Sequence, residues 1–399
     1  MKKLLLLGGL RYLLPVIKAA KKLNCYIITC DYLPNSIAHK FSDEYHNISI
    51  IDKEAVLELS KKLSIDGIMS FAVDPGVVTA AYVAEKMGLP HGGSYESVTI
   101  LQNKMLFRQF LNENGFNVPK SRGYSNYIEA NNDIGYFDWP VIVKPVDGAG
   151  SKGVTKVNEV TMLNNAVEYA LKHSVNKQFI VEEFIEQEGC SSDSDCFSDD
   201  GELKFVSFSA QRFSKDAPNP YTPAAYSWPS TMTSKQEKEL TSELQRLLRL
   251  LHMRTSIYNI ETRVGKDAKA YIMEVSPRGG GNRLAEVLEY ATGVNLVENA
   301  VRAALGQEII GLEQKPYNGH WAEVILHTNK SGIFKSLFID PKIEKYLIEL
   351  DLWIKPGDYV EGFQAANNTL GTMILRFDSE KELQKKMDCI EDWIKVRVK

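Results

Sequence analysis

Ser-Ile-Tyr-Asn-Ile-Glu-Thr-Arg-Val at 256–264 and Ala-Tyr-Ile-Met-Glu-Val-Ser-Pro-Arg-Gly-Gly-Gly at 270–281 are the stretches that decide the fold of this chain. Apolar residues alternate in both, and the short connection 265–269 predicts two antiparallel strands. Glu261 and Glu274 would then lie side by side. Carboxylates held that close repel each other, and a hard divalent cation would remove the repulsion. The alternative is a pair of solvent-facing glutamates, the usual state of such residues. The upstream sequence favours the metal site.

The composition of the chain argues against several classes of partner and location. The chain has 399 residues, 44% hydrophobic and 25% charged, with a formal net charge of -4. This acidic balance argues against nucleic acid or an anionic membrane as a partner. Five cysteines without metal-ligand spacing suit a reducing compartment. The N-terminal apolar run stops after four leucines, and a spanning helix needs about 20 apolar residues. We therefore expect a cytoplasmic protein.

The first 97 residues alternate between strand and helix patterns. Strands are predicted at 4–7, 25–29 and 67–71, and helices from about 10 to 23, at 53–63 and at 77–87. This rhythm predicts a small parallel α/β domain. Gly8-Gly9 invites a dinucleotide-binding interpretation, but the Gly-x-Gly-x-x-Gly spacing is absent.

Longer elements and a change of pattern follow. A single amphipathic helix is predicted at 99–114, strands at 141–145 and 179–183, and a helix at 237–251. Four prolines predict an extended loop at 216–230. Beyond 306, strands are expected around 321–327, 352–354 and 372–377, with a helix at 379–394. The fold class is α/β, with predicted domains 1–97, 98–305 and 306–399, the last an α+β extension.

Lys144 ends a β-branched strand that should be buried, where a lysine needs a compensating anion. A glycine-rich run follows at once and can fold its backbone N–H groups over a phosphate. The run supplies Gly148, Gly150, Ser151, Lys152 and Gly153. It is not a Walker A loop, because Gly153 is followed by Val154. A mobile surface hairpin is the alternative for the glycines alone, and Lys144 argues against it.

The strand end at Glu182-Glu183-Phe184-Ile185 could act as a linker whose backbone binds an adenine edge. Phe184 or Ile185 would provide apolar cover. Glu188 could reach ribose hydroxyls. A solvated acidic strand end is the alternative for this segment alone.

The order of these residues, from Lys104 and Lys144 through Glu182 to Glu261, Glu274 and Arg278, resembles the ATP-grasp superfamily over about residues 98–305. The resemblance implies an ATP-grasp domain of two α+β subdomains, with a lid at about 120–185. It implies ATP and Mg²⁺, or Mn²⁺, as cofactors. Glu261, Glu274 and Ser276 would hold the metal, and Arg278 and Lys144 would act in catalysis. The implied ATP contacts are Lys104, Lys144, Gly148, Gly150, Ser151, Gly153, Glu182, Glu183, Phe184, Ile185 and Glu188.

Two positions depart from the family pattern. Ser276 stands where asparagine is usual, and serine is a shorter oxygen ligand, so the second metal would be held more loosely. The surroundings of Glu188 lack the usual preceding glycine and following aromatic residue. Outside 98–305, the segment 71–76 looks like the preceding domain of ATP-grasp carboxylate-amine ligases. The segments 327–332 and 355–358 resemble the C-terminal extension of L-amino-acid (dipeptide) ligases.

These features predict an ATP-dependent carboxylate-amine ligase that forms an amide through an acyl phosphate. Its expected partners are a small carboxylate, an amino acid by the resemblance, and an amine. The resemblance also implies a homodimer. The alternatives are an acyl-phosphate-forming enzyme of the carboxylase or carbamoyl-phosphate-synthase kind, and a nucleotide-binding regulatory module without turnover.

A substrate carboxylate is expected near Arg278, whose fork-shaped guanidinium can grip it bidentately. Arg283 is an equal candidate for that grip or for an ordinary pair with Glu286 or Glu289. Arg212 is a further candidate, although a single arginine on a strand is more often structural.

Overall fold

The computed structural model describes residues 1–148 and 150–399. Its first section is a four-stranded, all-parallel sheet in the order β3-β2-β1-β4. The strands are β1 (Lys3–Leu7), β2 (Tyr26–Cys30), β3 (Glu44–His46) and β4 (Gly67–Ser70). The helices are α1 (Leu14–Lys22), α2 (Lys53–Leu63) and α3 (Asp74–Met87). The predicted parallel α/β section is confirmed. β3 was not predicted, because its three half-buried residues carry no apolar pattern.

The predicted single helix at 99–114 is wrong. Two helices occupy this region, α4 (Tyr95–Gln102) and α5 (Lys104–Glu113). Asn103 separates them in an extended conformation, and its side chain accepts hydrogen bonds from the N–H groups of Met105 and Leu106 at 3.0 and 3.2 Å. Asparagine is a favoured N-cap because its side chain satisfies free N–H groups of the first turn. Lys104 is therefore the first residue of α5.

The next section is an antiparallel sheet in the order β5-β8-β6-β7 with two helices. Its strands are β5 (Ser121–Tyr124), β6 (Val141–Pro145), β7 (Thr155–Val157) and β8 (Phe179–Glu183). Its helices are α6 (Tyr127–Asn132) and α7 (Leu163–Lys172). Apolar side chains of β6 and α7 form its core, among them Val141 and Val143, which have no exposed surface.

Residues 192–276 contribute to two further sheets. The strands are β9 (Ser192–Asp199), β10 (Glu202–Phe205), β11 (Ala210–Phe213), β12 (Pro223–Trp228), β13 (Ser256–Val264) and β14 (Ala270–Ser276), and the helix is α8 (Ser234–Leu250). One sheet has the order β10-β9-β13-β14 and is antiparallel. The predicted loop at 216–230 is wrong over β12. Pro223 is the first residue of this strand and Pro229 lies just beyond it, so neither proline interrupts the ladder.

The remaining residues complete the C-terminal sheets. The helices are α9 (Leu284–Thr292), α10 (Leu296–Ala304), α11 (Pro341–Glu344), α12 (Glu380–Met387) and α13 (Ile390–Trp393). The strands are β15 (His320–Leu326), β16 (Gly332–Ile339), β17 (Leu347–Leu352), β18 (Tyr359–Val360), β19 (Gly371–Phe377) and β20 (Ile394–Val398). The predicted helix at 379–394 is wrong beyond Met387, where a break and the short α13 lead into β20.

The five-stranded sheet β11-β12-β15-β19-β17 joins strands from both sides of residue 305. The third sheet of this half has the order β18-β16-β20. Short 3-10 helices complete the fold at Arg11–Leu13, Ile37–Lys40, Ile134–Tyr136, Val160–Met162 and Ala366–Asn368. None of the described helices has the length and apolarity to cross a membrane.

Candidate functional site

Three carboxylates lie in a row across the sheet formed by β9, β13 and β14. Glu261 is directly opposite Glu274 on one side and Asp193 on the other, so the predicted neighbours are confirmed and a third acid joins them. Glu261 and Glu274 keep 36% and 32% of their side chains exposed. Burial and the charge of Glu261 raise the pKa of Asp193 to about 7. The row therefore has an excess of negative charge on an open face.

This face is suited to a divalent cation whose remaining ligands are water or phosphate oxygens. The nearest cation to Glu261 is Arg263, at 3.8 Å. In the described part of the chain, no three histidine, cysteine or acidic side chains are arranged around one metal position. Magnesium usually takes one or two carboxylates and completes its shell with water and phosphate oxygens. Glu261 and Glu274 are suited to hold a metal in this way.

Ser276 lies beside the same row, opposite Asn259. Its hydroxyl donates to Asp74 Oδ1 at 3.0 Å and accepts from Gln102 Nε2 at 2.8 Å. The residue is 1% exposed. The metal role of Ser276 stays a prediction, and in this structure its oxygen joins the first section of the chain to α4.

Lys104 connects the acidic face to the glycine-rich loop. Its Nζ is 3.2 Å from Glu274 Oε2 and donates to the carbonyl of Gly148 at 3.0 Å. The Lys104 N–H also bonds the carbonyl of Val146. Burial alone would lower the pKa of Lys104, but the Glu274 carboxylate outweighs it and the pKa lies above its ordinary value. The start of α5 thus places a cation between the carboxylates and the loop.

Lys144 lies in a buried charge network that the sequence did not reveal. Its ammonium pairs with Glu182 Oε1, and Arg108 Nε donates to the other oxygen of Glu182 at 3.0 Å. Arg108 also donates to the carbonyl of Met273 at 2.8 Å, which ties α5 to β14. Burial would raise the pKa of Glu182, but Arg108 and Lys144 lower it to about 2. Arg108 was not predicted, because its partners lie far from it in the sequence.

Positive charge is in excess around this network. Burial lowers the pKa of Lys144, and Arg108 and Lys104 lower it further, although Glu182 opposes them. Arg108 and Lys144 share the single carboxylate of Glu182, and Lys104 adds to the repulsion on Lys144. A bound polyanion would remove this imbalance.

The glycine-rich loop connects β6 to β7 and folds back on the end of β6. Gly153 has φ +73°, and a Cβ on it would lie 2.8 Å from Pro145 Cγ, so a side chain would be strained there. Gly148, Gly150 and Ser151 lie in the same loop. Ala149 lies outside the described residues.

Asn219 fastens this loop to the rest of the chain. Its Nδ2 donates to the carbonyls of Ser151 at 3.0 Å and Gln364 at 2.9 Å. The Ser151 hydroxyl donates to the carbonyl of Tyr221 at 2.9 Å. The loop therefore contacts both the segment before β12 and the C-terminal section.

The segment after β8 crosses from one sheet to the other. Glu183 accepts from the N–H of Asp138 at 2.8 Å, and the Phe184 N–H donates to Pro140. The carbonyl of Ile185 accepts from Arg263 Nη1 at 3.3 Å. Glu188 is exposed. The adenine and ribose roles of these four residues stay predictions.

Arg278 is held by a carboxylate from the first section. Asp74 Oδ1 accepts from its Nε at 2.9 Å and lies 2.7 Å from its Nη2. Burial opposes ionisation of Asp74, but Arg278 outweighs it and lowers the pKa of Asp74. The glycines that follow pack closely: a Cβ on Gly279 would lie 2.2 Å from the Phe71 ring. Arg278 is thus oriented at the junction of the two sections.

The other candidate arginines have structural partners. Arg283 pairs with Glu286 and with Glu349, each at 3.0 Å. The pair with Glu286 was one of the two alternatives predicted for Arg283. Arg212 on β11 pairs with Asp388 at 3.1 Å and donates to Gln384.

Comparison with known proteins identifies the domain that carries this site. A family model described as "ATP-grasp domain" matches residues 137–286. The chain contains an ATP-grasp domain. This domain holds Lys144, the glycine-rich loop, Glu261, Glu274 and Arg278, and Lys104 lies just before it.

A relative and two solved structures extend the likeness beyond the ATP-grasp domain. The chain is 27% identical over 248 residues to the carbamoyl phosphate synthase large chain of Thermoanaerobacter sp. (strain X514), which covers 61% of this chain and 22% of that protein. The chain thus spans about a fifth of that relative's length. The L-amino acid ligase from Bacillus licheniformis has a TM-score of 0.84 at 19% identity and covers 100% of this chain and 99% of its own.

The second solved structure is the biotin carboxylase domain of the Hydrogenobacter thermophilus 2-oxoglutarate carboxylase in complex with MgADP and bicarbonate. It has a TM-score of 0.74 at 17% identity and covers 100% of this chain and 91% of its own. At these identities, both structures are similar to this chain in fold. The whole chain therefore has the fold of these two structures.

Proposed function

We propose that this protein is an ATP-dependent carboxylate-amine ligase that forms an amide bond and releases ADP and phosphate. The observation that carries the proposal is the contact of Lys104 with both Glu274 and the carbonyl of Gly148. This lysine lies between the acidic face and the glycine-rich loop, where the triphosphate of ATP would have to lie. The ATP-grasp domain supports the choice of nucleotide.

The buried cations suit a phosphoryl transfer. Lys144 and Lys104 would neutralise phosphate oxygens, which explains an excess of positive charge that the chain alone leaves uncompensated. Glu261 and Glu274 would hold a magnesium ion, which when bound spreads the charge of the transferring oxygens. The glycine-rich loop would exclude water, which would otherwise hydrolyse the activated acid.

Arg278 would orient the acid. Its Nε and Nη2 are fixed by Asp74, so its position is set before the substrate arrives. In the first step a carboxylate oxygen attacks the γ-phosphorus, and the bond to ADP breaks. In the second step the amine nitrogen attacks the acyl carbon, loses a proton, and phosphate leaves. Neither step needs a nucleophile from the protein.

The test is ADP release from ATP and Mg²⁺ with pools of amino acids as acids and amines, run with hydroxylamine as a general acceptor. A hydroxamate formed from one acid supports the proposal and names the acid. Glu274→Gln should lower the signal strongly at a Mg²⁺ concentration that just saturates the wild type, and the matched control Glu186→Gln, an exposed acid that pairs with Lys266, should retain it. ADP release that no acid stimulates would contradict ligase activity.

A second candidate is acyl-phosphate formation on a small inorganic acid. Similarity to a carbamoyl phosphate synthase large chain favours it. The same assay with bicarbonate as the only acid separates the two, because this candidate requires bicarbonate-stimulated ADP release.

A further inference from the structure

Glu323, on β15, is buried without a partner. The residue has no exposed surface, and neither carboxylate oxygen has a hydrogen-bond partner among the described residues. Burial raises the pKa of Glu323 well above its ordinary value. A buried polar group usually has a partner, because an unsatisfied one costs free energy. This side chain therefore calls for a ligand.

Tyr226 connects Glu323 to Asp193, and a third acid lies near Asp193 on the same strand. Tyr226 lies directly opposite Glu323 on β12, and its hydroxyl donates to Asp193 Oδ2 at 3.2 Å. Asp195 lies two residues beyond Asp193 on the same face of β9, fully buried, and its Oδ2 also lacks a partner in the described chain. Asp193, Asp195 and Glu323 form what we term the acidic cluster.

The acidic cluster lies beside the reacting face. Asp193 is opposite Glu261 and keeps part of its surface open to the cleft. Asp195 Oδ1 accepts from the N–H of Gly280 at 2.9 Å, in the turn that follows Arg278. The cluster thus begins where the acid and amine would have to meet.

The nearby Arg283 lowers the pKa of Glu323 but does not outweigh the effect of burial. The guanidinium of Arg283 is engaged by Glu286 and Glu349. The acids also do not form a metal site by their arrangement in the described residues. A primary ammonium fits better, because it is compact, carries one charge and has three donors for oxygens from separate strands.

We propose that Glu323, with Asp193 and Asp195, binds the ammonium group of an amino-acid substrate. The inference rests on the proposed ligase function and names the group by which the enzyme would select its substrate. Tyr226 is a positioning residue that orients Asp193. The enzyme would then discriminate amino acids from carboxylic acids without an amino group.

The test compares each amino acid that stimulates ADP release with its deamino analogue, for example alanine with propionate. Wild-type enzyme should prefer the amino acid by about a hundredfold in kcat/KM, the range of a lost charge-assisted hydrogen bond in a buried site. Glu323→Gln should lower kcat/KM for the amino acid by about 10- to 100-fold and change that for the deamino analogue less than about threefold. Glu344→Gln, at an exposed acid of α11, is the matched control and should behave as wild type.

A binding measurement separates failure of this inference from failure of the proposed function. The amino acids are titrated calorimetrically into wild-type protein and Glu323→Gln without ATP. Binding that Glu323→Gln weakens supports the ammonium site even if ADP is never released. Equal kcat/KM or equal binding for the two proteins overturns the site and leaves the ligase function standing. Thermal unfolding checks the fold, and Glu323→Gln should be at least as stable as wild type because it removes an unpaired buried acid.

Discussion

Replacing Arg108 with methionine should destabilise the protein strongly. The change removes the donor to Glu182 at 3.0 Å and the donor to the Met273 carbonyl at 2.8 Å, and leaves Glu182 buried with Lys144 as its one remaining partner. Arg108 and Lys144 together hold the Glu182 pKa at about 2, and the difference from 4.5 corresponds to about 3 kcal/mol at neutral pH. Loss of two buried hydrogen bonds from a charged donor typically costs about 3–6 kcal/mol.

Thermal unfolding followed by circular dichroism measures this cost. At about 1 °C per kcal/mol, the value for a chain of this length, the Arg108→Met midpoint should fall by about 3–6 °C. Adding Glu182→Gln should not restore the loss, because it leaves Lys144 buried without its carboxylate partner. Arg122→Met, at an exposed arginine paired with Asp133, is the control and should leave the midpoint nearly unchanged.

The same network sets an acid dependence. The Glu182 pKa is lower in the folded state than in the unfolded state, so its stabilisation is complete above about pH 4.5 and is lost as the pH falls toward 2. Arg108→Met should therefore converge with wild type in acid. A midpoint loss below about 1 °C at neutral pH, or a double variant as stable as the wild type, would contradict this role of Arg108.

Three further changes act on the proposed site. Glu274→Gln should raise the Mg²⁺ concentration needed for half-maximal ADP release by about a hundredfold, and an unchanged Mg²⁺ midpoint would argue against a metal there. Arg278→Lys should lower kcat by about a hundredfold, because lysine cannot keep both contacts with Asp74. The affinity for ATP should stay within about threefold of wild type. A normal kcat would show that Arg278 does not orient the acid. Asn219→Ala should weaken ATP binding about tenfold, because it releases the glycine-rich loop. The control Asn164→Ala, at an exposed residue of α7, should not weaken it. Calorimetry with a non-hydrolysable ATP analogue measures both affinities, and equal values would contradict the role of Asn219.

Local sequence patterns predicted the strands and the pairing of strands that are adjacent in the sequence. The alternation in 256–264 and 270–275 and the short connection between them gave the register of Glu261 and Glu274, because a two-stranded pairing leaves few alternatives. The buried β1 and its neighbours followed from apolar runs bounded by helices. The break at Asn103 was missed, although asparagine before an amphipathic run is a capping signal.

The long-range contacts could not be predicted. Arg108 contacts Glu182 and Met273 only when separate sheets pack together. No spacing in the sequence therefore predicts this buried charge network. Glu323 and Asp193 lie on different sheets and come together through Tyr226. The inner strand β12 was not predicted because of the prolines in this segment. Pro223 and Pro229 in fact lie at its two ends, where the ladder tolerates them.

We propose that Glu261 and Glu274 jointly hold the metal of a nucleotide that the glycine-rich loop covers. The anomalous difference density of a crystal grown with a non-hydrolysable ATP analogue and Mn²⁺ tests this arrangement. We expect one peak within about 2.3 Å of a carboxylate oxygen of both glutamates, with a phosphate oxygen completing its shell. Nucleotide bound with no peak between these two residues would contradict the proposal.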